Sequence, residues 1–231
     1  MKKHVLITGG NKGIGLETTK LFLEKDYLVT ILARDFSNFQ PLKNCNLIEF
    51  NLTEIHKISS LINHIDPVDI LINNAGIMNT FTFDNYPEDK KDEILKVNLD
   101  APVELMNCVS KHMIKNNNGR IVNNASIAGQ IGHPDIWYGI TKAGLINATK
   151  SYARLLGGHG IVINAVCAGP VETDMIGQIP ETRKEAMLKS TYLGRFAQPK
   201  EMAETIVWLA TQSPAYINGT CIDLNNGAFP R

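Results

Sequence analysis

Two apolar patterns alternate from one end of the chain to the other. The first is the short β-branched run. His4-Val5-Leu6-Ile7-Thr8, Leu28 to Leu32, Leu47 to Phe50, Asp69 to Ile72, Arg120 to Asn123, Ile161 to Asn164 and Thr220 to Leu224 each read as a strand. The second is helical periodicity, over about Gly13 to Lys25, from near Pro87 to Lys115, near Trp137 to Leu156 and near Lys200 to Thr211. Strands that are apolar almost throughout belong in a sheet buried on both faces, so the alternation predicts a parallel sheet covered by helices. The expectation is an α/β fold, a doubly wound parallel sheet of about seven strands in one domain over residues 1–231, with right-handed crossovers. The segment from Asp35 to Asn46 is short, irregular and contains Pro41, so no full crossover helix is expected there. No internal repeat, low-complexity tract or linker interrupts the pattern.

Composition narrows the partners. The 231 residues include 23 Lys plus Arg and 23 Asp plus Glu, a formal charge of zero, which argues against nucleic acid. No apolar run approaches the roughly 20 residues of a membrane span. The opening Met1-Lys2-Lys3-His4 leads straight into the first strand, so no secretory leader is expected. Cys45, Cys108, Cys167 and Cys221 lie far apart in or near apolar runs and are expected to be reduced, as in a cytoplasmic protein. No Cys/His spacing suits a metal.

In a doubly wound sheet, ligands bind beyond the carboxyl ends of the strands, where the strand order reverses. The first strand ends there in Thr8-Gly9-Gly10-Asn11-Lys12-Gly13-Ile14-Gly15. Glycines allow a tight turn and close backbone approach to a pyrophosphate, and the next helix offers free N–H groups at its positive end. Glycine spacing alone would equally suit a structural turn. A preceding strand and a following helix favour a dinucleotide.

The spacing TGxxxGxG resembles that of the short-chain dehydrogenase/reductase family, a Rossmann-type fold. Asn73-Asn74-Ala75-Gly76 after the fourth strand, Tyr138-Gly139-Ile140-Thr141-Lys142 as YxxxK, Ser126 twelve residues before the tyrosine, Asn98, and Ala168-Gly169-Pro170-Val171-Glu172-Thr173 extend the resemblance over essentially the whole chain. The resemblance implies Asn98, Ser126, Tyr138 and Lys142 as catalytic residues. It implies a nicotinamide cofactor held by Gly9, Asn11, Lys12, Gly13, Ile14, Gly15, Arg34, Asn51, Leu52, Asn74, Ala75, Gly76, Tyr138, Lys142, Gly169, Val171 and Thr173.

Chemistry supports those roles. Carbonyl reduction needs a hydride donor and a proton donor at the oxygen. Tyr138 and Lys142 share a helix face, and a nearby lysine cation is expected to lower the phenol from its usual pKa of about 10. Ser126 can orient the substrate oxygen. The resemblance gives Lys142 a second role on the nicotinamide ribose, and gives Asn98 a water chain that feeds protons to it. The second strand ends Leu32-Ala33-Arg34-Asp35, without an acidic residue at the position expected to take a ribose 2′-hydroxyl. Arg34 and Lys12 can instead receive a 2′-phosphate, which favours NADP.

Substrate contacts are expected in Ile77 to Phe83, in Ile127 to Trp137 and in a lid from Asp174 to Arg195, with Met175, Ile176 and Ile179 as its apolar inner face. His133 has an ordinary reading as a loop residue, and Trp137 one as packing at a subunit contact. Val171-Glu172-Thr173-Asp174-Met175, Gly194-Arg195-Phe196 and Ala215 to Gly219 are similar to the 3-oxoacyl-[acyl-carrier-protein] reductases, which implies a 3-oxoacyl thioester or similar ketone as substrate and a homotetramer. An acidic carrier protein needs a basic patch. The stretches before the fifth and sixth strands, expected near the cleft mouth, carry Asn117 and His159 with only Lys115, Arg120 and Arg154 nearby, so docking is expected to be weak. A dehydrogenase of another alcohol (a sugar, polyol or steroid) and a silent NADP-binding sensor remain as alternatives.

Overall fold

The computed structural model describes residues 2–177 and 179–230. Seven parallel strands form one sheet: β1 (His4–Thr8), β2 (Leu28–Ala33), β3 (Cys45–Glu49), β4 (Ile70–Asn73), β5 (Gly119–Asn124), β6 (Ile161–Ala168) and β7 (Cys221–Leu224), in the order β3-β2-β1-β4-β5-β6-β7. The order reverses between β1 and β4, which opens a crevice beyond their carboxyl ends. Successive strand residues face opposite layers. Val5 and Ile7 join Phe22 and Ile206 on one side, while Leu6 joins Leu105 and Met106 on the other. The first layer is covered by α1 (Gly13–Glu24) and α8 (Pro199–Thr211); the second contains α2 (Ile55–Asn63), α4 (Ala101–Lys115) and α5 (Ile136–Leu156). Two short helices, α6 (Asp174–Gly177) and α7 (Glu181–Ser190), form the segment expected as a lid.

Most boundaries fall within a few residues of the expected ones, and no helix separates β2 from β3. Helix α2 was not expected, although Ile55, Ile58, Leu61 and Ile62 carry a helical spacing and pack into the core. The long helix expected from Pro87 to Lys115 is divided. After α3 (Glu88–Leu95) the chain forms one π-turn, Lys96–Asp100, before α4. Pro102 explains the break: it has no N–H to donate to the Asn98 carbonyl, so the ladder widens, and Ala101 N–H reaches Lys96 O five residues back.

The loops expected to dock a carrier lie elsewhere than expected. They precede β5 and β6, at the amino edge of a parallel sheet, so they sit opposite the crevice, one strand length or about 20 Å away. Arg120 is not a free surface cation either. Its Nη1 donates to Leu209 O at 3.1 Å, Ser213 O at 3.0 Å and Ser213 Oγ at 2.9 Å, closing the last turn of α8. Arg120→Ala removes all three bonds and leaves carbonyls half-buried. It is expected to lower unfolding free energy by about 2 kcal/mol and the melting temperature by roughly 4–8 °C. A melt followed by circular dichroism checks this, and an unchanged midpoint would show that water replaces the guanidinium without loss.

Candidate active site

The crevice at the reversal point is a cleft of about 1190 Å³. Gly9, Asn11, Lys12, Gly13, Ile14, Arg34, Leu52, Asn74, Ala75, Gly76, Ser126, Tyr138, Lys142, Gly169, Val171 and Thr173 all line it. Three of the expected residues do not. Gly15 lies behind the glycine loop, where a Cβ would stand 2.0 Å from Gly9 O, so this glycine is needed for the close approach of α1 to β1. Asn51 turns its side chain to Thr53 N at 3.1 Å, leaving Leu52 and Phe50 on the cleft wall. Asn98 is buried beneath the wall.

The glycine loop takes left-handed backbone at Gly9 (φ 64°) and Gly13 (φ 52°), which favours glycine. Across the cleft, Thr173 stands so near that a Cβ on Gly13 would meet its methyl at 3.5 Å. At the far end, β2 finishes in Ala33, with no acidic residue at the strand end itself, although Asp35 two residues on also lines the cleft. Asp35 spends its carboxylate on Ser37, accepting from Ser37 N at 2.7 Å and Ser37 Oγ at 2.8 Å. Both cations at this end are exposed and loosely paired: Lys12 with Asp174 at 3.2 Å and Arg34 with Glu93 at 3.3 Å. Exposed pairs of this kind contribute little stability and are readily exchanged for another anion.

The candidate chemical residues sit at the ends of β4 and β5 and on α5. Asp135 caps α5, accepting from Tyr138 N at 3.1 Å. Its other oxygen accepts from Asn79 N at 2.7 Å, tying the loop after β4 to the tyrosine. Asp135 is a positioning residue that the sequence reading passed over, although an acidic residue three before the tyrosine is a helix-start signal. Lys142 is buried, with Nζ donating to Asn124 O at 2.7 Å and standing 5.6 Å from the Tyr138 ring centre. Asn98 clasps Ile77, accepting from its N–H and donating to its carbonyl, each at 2.8 Å, and also donates to Thr141 Oγ1 at 3.2 Å. A Cβ on Gly76 would lie 3.5 Å from both Asn98 Oδ1 and Lys142 Nζ, so the two groups meet at that glycine.

Electrostatics depart from expectation in one respect. Burial raises the Tyr138 pKa; the Ser126 hydrogen bond lowers it and the Asp135 charge raises it, leaving it above its ordinary value. Burial lowers Lys142 to about 8. In the protein alone, burial therefore dominates, and Tyr138 is a protonated donor at neutral pH. The apolar inner face of the lid is where it was expected: Met175, Ile176 and Ile179 pack with Met78, Ala128 and Tyr138. Trp137 joins the same cluster and carries Lys91 Nζ at 5.1 Å from its ring centre. His133, read from sequence as a loop residue, lines the cleft with its ring centre 5.1 Å from that of Tyr138. Among the described residues no group of three His, Cys, Asp or Glu could hold a metal ion.

The chain matches the short chain dehydrogenase family over residues 3–184. It is 34% identical to a 3-oxoacyl-[acyl-carrier-protein] reductase of Thermotoga maritima, over 97% of each chain. Among solved structures, it superposes on ElxO with NADP bound at a TM-score of 0.89 and 29% identity, covering 100% of both chains. It superposes on a 4-hydroxyisoleucine dehydrogenase complexed with NADH at a TM-score of 0.91 and 26% identity, over 99% of both. By sequence match and fold alike, the chain belongs to the short chain dehydrogenase family.

Proposed function

We propose that this protein is an NADP(H)-dependent oxidoreductase that reduces a carbonyl to an alcohol, with a 3-oxoacyl group or a similar ketone as substrate. The observation that carries the reading is the buried Ser126, Tyr138 and Lys142 set opening into the same cleft as the glycine loop. The cleft fits a dinucleotide: Gly9 and Gly13 bring left-handed backbone to its floor without side chains, and the amino end of the α1 dipole faces it. Gly9, Asn11, Gly13 and Ile14 would hold the pyrophosphate, Asn74, Ala75 and Gly76 the ribose nearby, and Gly169, Val171 and Thr173 the nicotinamide. Lys12 and Arg34 would take the 2′-phosphate, exchanging their exposed carboxylate partners for it, while the Asp35 carboxylate is turned to Ser37. Bound there, the reduced nicotinamide supplies the hydride.

The remaining work falls to the side chains. Ser126, held by Ala128 N at 3.1 Å, presents its hydroxyl to the substrate oxygen. Tyr138 donates its proton to that oxygen as the carbonyl carbon gains the hydride, and the phenolate left behind is stabilised by Lys142. Lys142, protonated below about 8, also binds the ribose. Asn98 fixes the Ile77 turn beside Lys142, where a water can return the proton. A silent sensor is disfavoured by the completeness of this set.

The whole chain would work as one cytoplasmic unit. No helix among the described residues is long and apolar enough to cross a membrane. Exposed Leu155, Trp208 and Tyr216 on and beside α5 and α8 favour a homotetramer joined through those elements.

Three measurements test the reading. NADPH is expected to bind at least about tenfold more tightly than NADH, or 1.4 kcal/mol, and Arg34→Asp to narrow or reverse the gap; equal dissociation constants in the unaltered protein would exclude a 2′-phosphate site. Tyr138→Phe is expected to reduce turnover at least about 100-fold with NADPH binding little changed, whereas Lys142→Ala harms both; retention of most turnover by the phenylalanine variant refutes the acid assignment. A 3-oxoacyl thioester on a short carrier mimic is expected to oxidise NADPH. Transfer of the acyl group to full carrier protein should raise kcat/KM by less than about tenfold, because the chain is neutral and Asn117 and His159 bring no cation to the loops ahead of β5 and β6. A gain of several hundredfold that vanishes at high salt would reveal a docking surface.

A further inference from the structure

The substrate half of the cleft has an apolar wall that includes Met78, Ile127, Ile131, Ile176, Ile179 and Met187. Into this wall α7 places one cation, the half-buried Arg183. The other cations lining the cleft have clear assignments. Lys12 and Arg34 face carboxylates, and Lys142 donates to Asn124 O and serves the tyrosine. Among the described residues, Arg183 makes no ion pair. Its Nη2 donates to His133 Nε2 at 2.9 Å.

That contact fixes the imidazole as well as the guanidinium. With Nε2 accepting, the neutral ring carries its proton on Nδ1 and donates to Asp135 O at 3.1 Å. Burial, and then the Arg183 charge, hold His133 below its usual pKa, which keeps the ring neutral. Asp135, whose carbonyl contacts the same imidazole, accepts from Tyr138 N and Asn79 N and forms no ion pair with Arg183. A guanidinium has five N–H donors in a planar fork. Here it is fixed one imidazole away from the catalytic ring, with apolar neighbours and spare donors. The half-buried guanidinium keeps its remaining donors open to the cleft. The group that complements them best is a carboxylate, which can accept two parallel hydrogen bonds.

We propose that Arg183, oriented by His133, is a carboxylate-binding residue of the substrate site, and that among small ketones the site prefers short oxo acids, and the corresponding hydroxy acids, over their uncharged esters. This rests on the reading of the cleft as a carbonyl-reducing site. Because Arg183 sits on α7, an acid bound beside Tyr138 also holds the lid against the cleft.

The test pairs substrates that differ only in charge: pyruvate, acetoacetate and 4-oxopentanoate against their methyl esters, with NADPH. For at least one pair the acid is expected to exceed its ester at least about tenfold in kcat/KM, and Arg183→Gln to bring that ratio to within about twofold of one. Arg183→Lys should keep part of the preference, since it keeps the charge and loses the fork. Thermal melting confirms that each variant folds. A ratio near one for every pair in the unaltered protein overturns the proposal, as does a ratio that Arg183→Gln leaves intact. Should neither acids nor esters oxidise NADPH, carbonyl reduction of such substrates fails, and Arg183 is read independently. The same acids are then titrated by calorimetry into protein loaded with NADP+, where no hydride is available. Binding that Arg183→Gln abolishes sustains the carboxylate site; absent binding, or equal binding in the variant, removes it.

Discussion

One side-chain amide joins the three strand ends on which the site is built. Asn74 Nδ2 donates to Thr8 O at 3.0 Å and Gly9 O at 3.1 Å, while Asn74 Oδ1 accepts from Asn124 Nδ2 at 3.0 Å. Thr8 answers by accepting from Asn74 N and Ala75 N, each at 3.0 Å. Asn124 O then holds the Lys142 ammonium. A continuous run of hydrogen bonds thus leads from the glycine loop through β1, β4 and β5 to the lysine beside Tyr138. In a buried setting such bonds reinforce one another, and losing one leaves its neighbours unsatisfied. This network ties the glycine loop to β5 and, through Asn124 O, to Lys142 on α5.

Burial also sets the charge state of the site. The same desolvation that keeps the Tyr138 proton in place brings Lys142 down to about 8. A neutral phenol beside a marginal ammonium is poised for reduction. Formation of a phenolate calls for additional positive charge, and the oxidised nicotinamide would bring it.

The sequence carried the sheet, the crevice and most of the cleft residues, because strand hydrophobicity and glycine spacing are local signals. What it did not carry depends on the third dimension. Gly15 belongs to helix packing rather than to the phosphate surface, and nothing in its spacing distinguishes the two. Arg120 reads as a surface charge until β5 places it under α8. His133 and Arg183 lie fifty residues apart and meet only when α7 folds over the cleft. Resemblance places Asn51 among the cofactor residues, yet its short side chain is captured by the turn into α2. Two omissions did have a local signature: the spacing of α2, and Pro102, which marks the break in the long helix.

That break has a consequence for how this chain can vary. Each residue turns an α-helix by about 100°. The extra residue in the π-turn therefore sets the register of α3 relative to α4, and with it the direction of Ile94 into the site and of Glu93 toward Arg34. Removing one residue from Lys96–Asp100 would leave a more regular helix and a misdirected one. Substitution there is a graded change, whereas deletion rotates a whole face. The length of this segment is thus a discrete geometric setting that helical propensity cannot compensate.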